Sequence, residues 1–570
     1  MPAQFRTHSA LAALENLANL SRTKGIAALP SSATIDDKRV LFAGHSMGGH
    51  GAWAAAVHAA SRTIGVASVS GWLKKETYGD SNFLFHQSVN DVSSSYVEPQ
   101  LEGILTSSIG ENNLELHLPL IRNVPHLARV GDADKTVHAF WARRAVRLLA
   151  NADPPSQQAG DASASKLPIS RLSELPGKEH WWWDTSRPND GGALNDEEMR
   201  SFFASVAGEA NTRPALPAMP DGFVLMAHGV GAYEGRGGWK IAQAHVPARM
   251  ASVQLNTNIS NISSSGVLNI VTTRNVRRLT VPREAFKTRG AILIDEEEVR
   301  TTFVKGDEVE SVELCRLTFQ RKWKVCGKGT WEEGERGPDT AGPLRQAMQK
   351  PFAIVVGSGS GDATEAKELE HLAVYLANLF VLTSDASPVV LPDVAVAPDI
   401  ADKAGVDPEN WVDTDDKNYG WSQPAMGGRN LILIGGPREN EATRALARYW
   451  HKVEHHVEWT GFGELIIGGC ELPISAGRGA LILGPLPGNG LALVIDGDAT
   501  GKRAAVALGE PTIPPMARTP FSNTLPDYIV TGPEFEAKGY GGVIAAGYFN
   551  YKWRVWRAAS FLSSDCLRVE

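Results

Sequence analysis

Cysteines and long apolar runs are scarce in this 570-residue sequence, and each shortage excludes a class of protein. The four cysteines, Cys315, Cys326, Cys470 and Cys566, are too few for a disulfide framework. They also lack the paired spacing and the histidine partners of a zinc site. No apolar run reaches the roughly 18 residues of a membrane span. Glu15 interrupts the only early stretch that could be a signal peptide.

Charge and composition exclude further classes of protein. With 56 basic against 64 acidic residues, the net charge is -8, and no basic stripe typical of nucleic-acid-binding proteins is present. Hydrophobic residues make up 43% and charged residues 21%, which indicates a globular chain rather than a disordered one. We therefore expect a soluble protein with no nucleic-acid or membrane partner, no metal and no cofactor. The sequence does not indicate its compartment.

The chain is too long for one hydrophobic core, since single cores rarely exceed roughly 250–300 residues. Its pattern changes twice along its length. Residues 1–205 alternate helical and strand patterns, residues 215–335 carry short β-branched runs, and residues 345–570 alternate again. We therefore predict an α/β chain of three domains with these boundaries.

The first region predicts a sheet covered by helices. Helical patterns occur at about 8–24 and 48–60, and apolar runs occur at 40–43 and 64–69. Strands that alternate with helices in this way are typical of a parallel sheet.

The two later regions predict different architectures. Short runs such as 252–255 alternate with polar turns, which favours an antiparallel β-rich module, with a sandwich as one architecture. Residues 331–340 (WEEGERGPDT) have the composition of a linker. Beyond them, apolar runs at 352–356 and 431–434 each precede a glycine-rich turn and a helix. This pattern predicts a small open-sheet domain of the flavodoxin-like type.

The residues Gly44-His45-Ser46-Met47-Gly48 fit the G-x-S-x-G pattern of a nucleophile elbow. Because such a pentapeptide also occurs by chance, its context decides between an elbow and an ordinary glycine-rich turn. An apolar run ends at Gly44, and a helix begins just after Ser46. The turn strains the serine backbone, so Gly44 and Gly48 need to be small. The context favours a reactive Ser46.

A serine hydroxyl needs a base that takes its proton and an acid that orients the base. In hydrolases with this elbow, the chain order is serine, acid, histidine. Asp132 and Asp134 directly follow an apolar run, and His180 lies in a polar loop after a short strand pattern at 167–172. The residues alone leave both aspartates as candidates for the acid.

The chain resembles the prolyl oligopeptidase family of serine peptidases, within the α/β-hydrolase fold. The acid motif of that family is G-x-x-D-x-x-V, which corresponds here to Gly131, Asp134 and Val137. The resemblance therefore selects Asp134 over Asp132. It covers about residues 10–205 and implies a partial α/β-hydrolase domain there.

The resemblance also implies a mechanism. It implies Ser46 as the nucleophile, His180 as the base and Asp134 as the orienting acid. The backbone N–H of Met47 is the implied oxyanion donor. The implied substrate is a peptide or an ester. A serine-type peptidase is the leading prediction, and a carboxylesterase with the same triad is the alternative.

Three aromatic side chains flank the predicted triad. Trp181 and Trp182 follow His180 directly, so they either line the substrate cleft or pack against the histidine loop. His45 precedes Ser46 and is a further candidate for lining the cleft. A hydrogen-bonded neighbour is nevertheless favoured over a second base at this position.

One feature departs from the family pattern. Only 38 residues precede Arg39, which leaves room for one helix before the elbow. The complete domain of the family has several strands there, and one of their loops usually supplies a second oxyanion donor. Loss of one donor typically lowers turnover by about 10²–10³. We therefore expect a shortened member with weak activity or none, and an inactive scaffold protein is the third alternative.

Overall fold

The chain folds into two compact units. The computed structural model describes residues 7–24, 34–74, 97–152, 170–182, 192–212, 222–256, 270–286, 291–301, 310–316, 322–327, 331–359, 362–384, 386–405, 428–461, 463–472, 477–510, 519–522, 524–563 and 567–568. The first unit comprises Met1–Ser81, Glu111–Ala244 and Met250–Gly329, and the second comprises Asn82–Gly110, His245–Arg249 and Thr330–Glu570. The first unit includes both the first and the β-rich regions, and the three-domain layout stays a prediction. Within these described ranges, no helix is both long enough and apolar enough to cross a membrane.

The first region forms a four-stranded sheet with helices. Its elements are α1 (Thr7–Thr23), β1 (Val40–His45), α2 (Met47–His58), β2 (Thr63–Val69), α4 (Leu114–His117), β3 (His126–Gly131), α5 (Phe140–Ala152), β4 (Ser170–Leu175) and α6 (Glu197–Thr212). Helix α3 (Pro99–Ser107) lies between α2 and α4 in the sequence but belongs to the second unit.

All four strands of this sheet are parallel and follow the order β1-β2-β3-β4. One row across the sheet joins Ala43, Ala67, Leu127 and Arg171. The predicted parallel sheet is confirmed. Because the strands are parallel, the loops that follow β1, β3 and β4 all leave from the same edge. That edge is where the sequence places its candidate catalytic residues.

The β-rich region forms two further sheets. Its strands are β5 (Phe223–Ala227), β6 (Lys240–Ala244), β7 (Ala251–Asn256), β8 (Ile270–Arg274), β9 (Val276–Pro282), β10 (Ala291–Ile294), β11 (Glu297–Arg300), β12 (Ser311–Arg316) and β13 (Trp323–Cys326). One sheet has the order β11-β10-β8-β7-β5, and the other has the order β13-β12-β9-β6. Every described pair is antiparallel except β8–β10. Burial alternates along β5, as expected for a strand with one buried face.

The second unit is an α/β assembly. After α3, its elements are β14 (Phe352–Val356), α7 (Ala363–Ser384), β15 (Val389–Pro392), α8 (Ala397–Ala404), β16 (Asn430–Ile434), α9 (Glu441–Lys452), β17 (Val457–Trp459), β18 (Leu465–Ile467), β19 (Cys470–Leu472), β20 (Gly479–Leu486), β21 (Gly490–Gly497), α10 (Ala499–Gly509), β22 (Tyr528–Thr531), α11 (Phe535–Lys538), β23 (Val543–Phe549), β24 (Val555–Leu562) and β25 (Leu567–Arg568). A small sheet has the order β17-β18-β19-β25.

The main sheet of the second unit is larger than the sequence predicts. Its order is β15-β14-β16-β21-β20-β22-β23-β24. The half from β15 to β21 is parallel, and its order matches the start of a flavodoxin-like sheet. The other half is antiparallel and departs from that type. For the pair β20–β21, where the direction changes, the short turn between Leu486 and Gly490 is the physical reason, since parallel neighbours need a connection of a dozen residues or more.

Residues 331–340, expected to be a linker, are instead packed into the second unit. Arg336 is 2% exposed, and its guanidinium forms two hydrogen bonds with the Asp527 carboxylate, at 2.5 and 3.1 Å. It also lies 4.2 Å from the ring centre of Trp553. The linker prediction is wrong because composition does not reveal that a charged side chain has a buried partner.

The described cysteines are disulfide-bonded, although four cysteines are too few for a disulfide framework. Cys315 in β12 and Cys326 in β13 are joined, with their Cα atoms 5.9 Å apart. Cys470 in β19 is disulfide-bonded as well. Two neighbouring antiparallel strands, β12 and β13, bring Cys315 and Cys326 together.

His126, at the start of β3, predicts a pH dependence of stability. It is buried, its Nδ1 donates to the Val124 carbonyl at 3.0 Å, and its Nε2 accepts from the Ser170 hydroxyl at 2.7 Å. Burial lowers the pKa of His126 to about 4, against an ordinary 6.5. Below about pH 6.5 the unfolded chain therefore binds a proton that the folded chain does not. Stability is lost as the pH falls toward 4.

We expect this one group to destabilise the first unit by on the order of 2–3 kcal/mol between about pH 7 and about pH 4.5. His126→Gln keeps a donor and an acceptor but does not titrate. Urea unfolding at both pH values should show a smaller pH-dependent loss in the variant than in the wild type. Equal losses in the two proteins would contradict the assignment.

Candidate active site

Ser46 forms the turn between β1 and α2. Its backbone has φ 57° and ψ -119°, a conformation that costs a non-glycine residue on the order of 1–3 kcal/mol. Such strain is what a nucleophile elbow requires. The Ser46 N–H donates to the carbonyl of Val69 at 2.8 Å, which ties the turn to the end of β2. The structure has the strand–turn–helix geometry that the pentapeptide predicts, and the role of Ser46 as a nucleophile stays a prediction.

The two glycines of the elbow differ in the room around them. A Cβ on Gly44 would lie 2.1 Å from the Gly48 carbonyl oxygen, so only glycine fits there. A Cβ on Gly48 would meet nothing within 4 Å. The requirement for a small residue is confirmed at Gly44 and wrong at Gly48.

Asp134 follows β3, and both of its carboxylate oxygens are engaged. Oδ1 accepts the N–H groups of Thr136 at 2.9 Å and Val137 at 2.8 Å, and Oδ2 lies 2.8 Å from His180 Nδ1. Burial alone would raise the pKa of this carboxyl. The hydrogen bonds from Val137 and His180 outweigh burial and hold the pKa below its ordinary value. Asp134 is therefore ionised and acts only as an acceptor.

His180 follows β4 and joins the acid to the serine. It is 3% exposed, and its Nε2 lies 2.9 Å from Ser46 Oγ. Because the Asp134 carboxylate can only accept, the ring proton is on Nδ1. Nε2 is then the acceptor for the hydroxyl proton of Ser46. The structure thus brings together the three side chains that the sequence selects.

Asp132, the competing acid, has a different partner. Its Oδ1 accepts the N–H of Gly177 at 2.7 Å, which fastens the turn after β4 to the turn after β3. A Cβ on Gly131 would lie 2.1 Å from the Lys178 carbonyl oxygen, so the two turns are in close contact. Sequence reasoning missed both contacts. The only residue type that points to a close contact here is Gly131, the glycine of the family motif.

Met47 is the first residue of α2. The N–H groups in the first turn of a helix have no acceptor within the helix and suit a developing negative charge. Its role as an oxyanion donor stays a prediction.

In the part of the chain that the structure describes, no group of three or more His, Cys, Asp or Glu side chains is placed to hold a metal ion.

The three flanking aromatic residues take different positions. Trp181 is 68% exposed and stands edge-on to His180, with ring centres 4.7 Å apart. Trp182 is half-buried and lies edge-on to His45 at 5.9 Å. His45 is only 9% exposed, and its Nε2 lies 2.9 Å from the His180 carbonyl oxygen. Of the three, Trp181 is the most exposed to solvent.

No family model matches the chain. An uncharacterised secreted protein of Arthroderma benhamiae is 22% identical over 527 residues, which cover 92% of this chain and 47% of the fungal protein. The chain therefore spans about half the length of this curated relative.

Solved structures of hydrolases share a limited likeness with the chain. A monoacylglycerol lipase of Paleococcus ferrophilus is 16% identical, with 36% of this chain and 76% of the lipase covered and a TM-score of 0.21. A puromycin-hydrolyzing peptidase of Mycobacterium tuberculosis is 16% identical, with 38% of this chain and 27% of the peptidase covered and a TM-score of 0.23. Scores this low support no argument about the chain.

The elbow glycines predict opposite effects of the same substitution. Gly44→Ala forces the turn apart and should destabilise the first unit by about 1–3 kcal/mol. In Gly48→Ala the added methyl group meets no other atom. Because alanine is favoured over glycine within a helix, this variant should be more stable by about 0.5–1 kcal/mol. Urea unfolding of both variants checks the pair. Equal stabilities of the two variants would show that the close contact between Gly44 and the Gly48 carbonyl does not exclude a side chain at position 44.

Proposed function

We propose that the first unit is a serine hydrolase, with a prolyl oligopeptidase-like serine peptidase as its leading form. The observation that carries the proposal is an unbroken series of hydrogen bonds. Ser46 Oγ lies 2.9 Å from His180 Nε2, and His180 Nδ1 lies 2.8 Å from Asp134 Oδ2. The strained backbone of Ser46 is independent support, because a structural serine needs no such conformation.

The chemistry follows from the direction of these hydrogen bonds. As Ser46 Oγ attacks the carbonyl carbon of the substrate, its proton moves to His180 Nε2. Asp134 stabilises the resulting imidazolium, and the Met47 N–H stabilises the oxyanion. The imidazolium then gives its proton to the leaving amine or alcohol, which departs and leaves an acyl-enzyme. Water then gives a proton to the same imidazole and attacks the acyl carbon. The bond from that carbon to Ser46 Oγ breaks, Oγ takes the proton back, and the acid is released.

The family resemblance, and not the motif itself, favours a peptide substrate. Each position of the motif has a contact in the structure. Gly131 allows the approach of the Lys178 carbonyl, Asp134 faces His180, and the Val137 N–H binds Asp134. These contacts serve an esterase equally well, so the carboxylesterase remains the second candidate. Trp181, exposed beside His180, offers an apolar surface to either substrate.

Labelling with a fluorophosphonate tests the proposal. The reagent forms a bond from phosphorus to Ser46 Oγ and loses fluoride. We expect one adduct at Ser46 in the wild type and none in Ser46→Ala, located by peptide mass spectrometry. A wild type that forms no adduct would favour the inactive scaffold.

The two neighbouring aspartates provide a matched pair for the same assay. Asp134→Asn should slow labelling by up to about 10⁴, because the amide no longer holds His180 in the required tautomer. Asp132→Asn keeps an acceptor for the Gly177 N–H and should label within a few-fold of the wild type. An equal effect of both substitutions would contradict the assignment of the acid. Turnover of peptide against simple ester substrates then separates peptidase from esterase.

We also propose that the chain works in an oxidising compartment. The described cysteines are disulfide-bonded, and disulfides persist mainly in exported proteins. The secreted designation of the fungal relative agrees with this proposal. Protein from its native source, denatured without reductant, should show no reactive thiol at Cys315, Cys326 or Cys470. Reactive thiols at these positions would contradict the proposal.

A further inference from the structure

We infer that His45 is a positioning residue, which fixes the backbone of His180 so that the imidazole stays within reach of Ser46. The inference rests on the proposed function and deepens it. His45 Nε2 lies 2.9 Å from the carbonyl oxygen of His180, although 135 positions separate the two residues. A carbonyl oxygen only accepts, so His45 Nε2 carries a proton and donates it.

This hydrogen bond closes a loop of contacts around the site. His45 and Ser46 are adjacent in the chain at the end of β1. The side chain of His45 binds the backbone of His180, and the side chain of His180 binds Ser46. The hydrogen bond from His45 therefore fixes the backbone of His180, and the hydrogen bond between His180 and Ser46 depends on the position of that backbone. Misplacement of a catalytic group by about 1 Å can lower a rate by on the order of 10².

The packing of His45 supports a fixed orientation. The ring is 9% exposed, and its centre lies 4.8 Å from the His180 ring and 5.5 Å from the Trp181 ring. Trp182 lies edge-on to it. A ring enclosed in this way keeps its donor nitrogen aimed at one acceptor.

The charge state of His45 also suits this role. Burial is the main cause that lowers the pKa of His45 below its ordinary value, so the ring is neutral near pH 7. A neutral imidazole donates its hydrogen bond without a charge. His180 becomes positive when it takes the serine proton, and a charged neighbour at 4.8 Å would oppose that step. Lysine or arginine could donate the same bond but would add that charge.

Two substitutions separate positioning from packing. His45→Phe keeps a buried aromatic ring and loses the donor. His45→Gln keeps a neutral N–H donor. Fluorophosphonate labelling of Ser46 should slow by about 10–100-fold in His45→Phe, and His45→Gln should restore most of the rate. On a turned-over substrate, the loss should fall on kcat rather than on KM.

His50→Phe is the matched control. His50 is also buried, lies in α2, and binds the Trp72 carbonyl at 2.9 Å instead of the His180 loop. The substitution should lower the thermal midpoint of unfolding. The rate of Ser46 labelling, corrected for the fraction of protein that is folded, should stay at the wild-type value. A labelling loss as large as that of His45→Phe would show that any buried histidine here acts through stability, and would overturn the inference.

Hydrogen exchange keeps the inference testable apart from catalysis. The peptide spanning residues 176–182 should exchange faster in His45→Phe than in the wild type or His45→Gln. An unlabelled wild type would refute the proposed function. The exchange rate of this loop would still show whether the hydrogen bond from His45 holds the backbone of His180. Exchange that is the same in all three proteins, or labelling of His45→Phe at the wild-type rate, would overturn the role of His45.

Discussion

Hydrogen bonds on both ring nitrogens of His180 are the constraint on which the site depends. Nδ1 faces a carboxylate, so the proton stays there, and Nε2 remains an acceptor for Ser46. Both bonds depend on the parallel sheet of the first region, because its parallel strands deliver these three residues to one edge. The chemistry of the site is therefore a property of the sheet as much as of the side chains.

Much of the candidate site could be predicted from the sequence, because its signals are local. The elbow at Ser46 combines an apolar run, a glycine and a helix, all within a dozen residues of one another. The motif around Asp134 is equally short. The contact between His45 and His180 had no such signal, since it joins residues 135 positions apart through a backbone carbonyl. Hydrogen bonds from a side chain to a distant backbone leave no pattern in the residue types.

The fold was predictable to a similar depth. Elements marked by a continuous apolar run or a run of small residues, such as β1, α2 and β16, lie where the sequence places them. The partners of those strands were not accessible in the same way. The antiparallel pairing of β20 with β21 depends on the short connection between them, and the buried pair of Arg336 and Asp527 joins residues 191 positions apart. Composition assigned Arg336 to a linker because charge usually indicates exposure.

The disulfide between β12 and β13 has a consequence for the outer border of its sheet. Strand β13 is the last strand of the order β13-β12-β9-β6, and it is only four residues long. A terminal strand so short would ordinarily fray and leave β12 open to pairing with a foreign chain. The covalent bond from Cys326 to Cys315 prevents that detachment. It thereby protects the sheet from strand invasion and from cleavage by proteases, which act on transiently released segments.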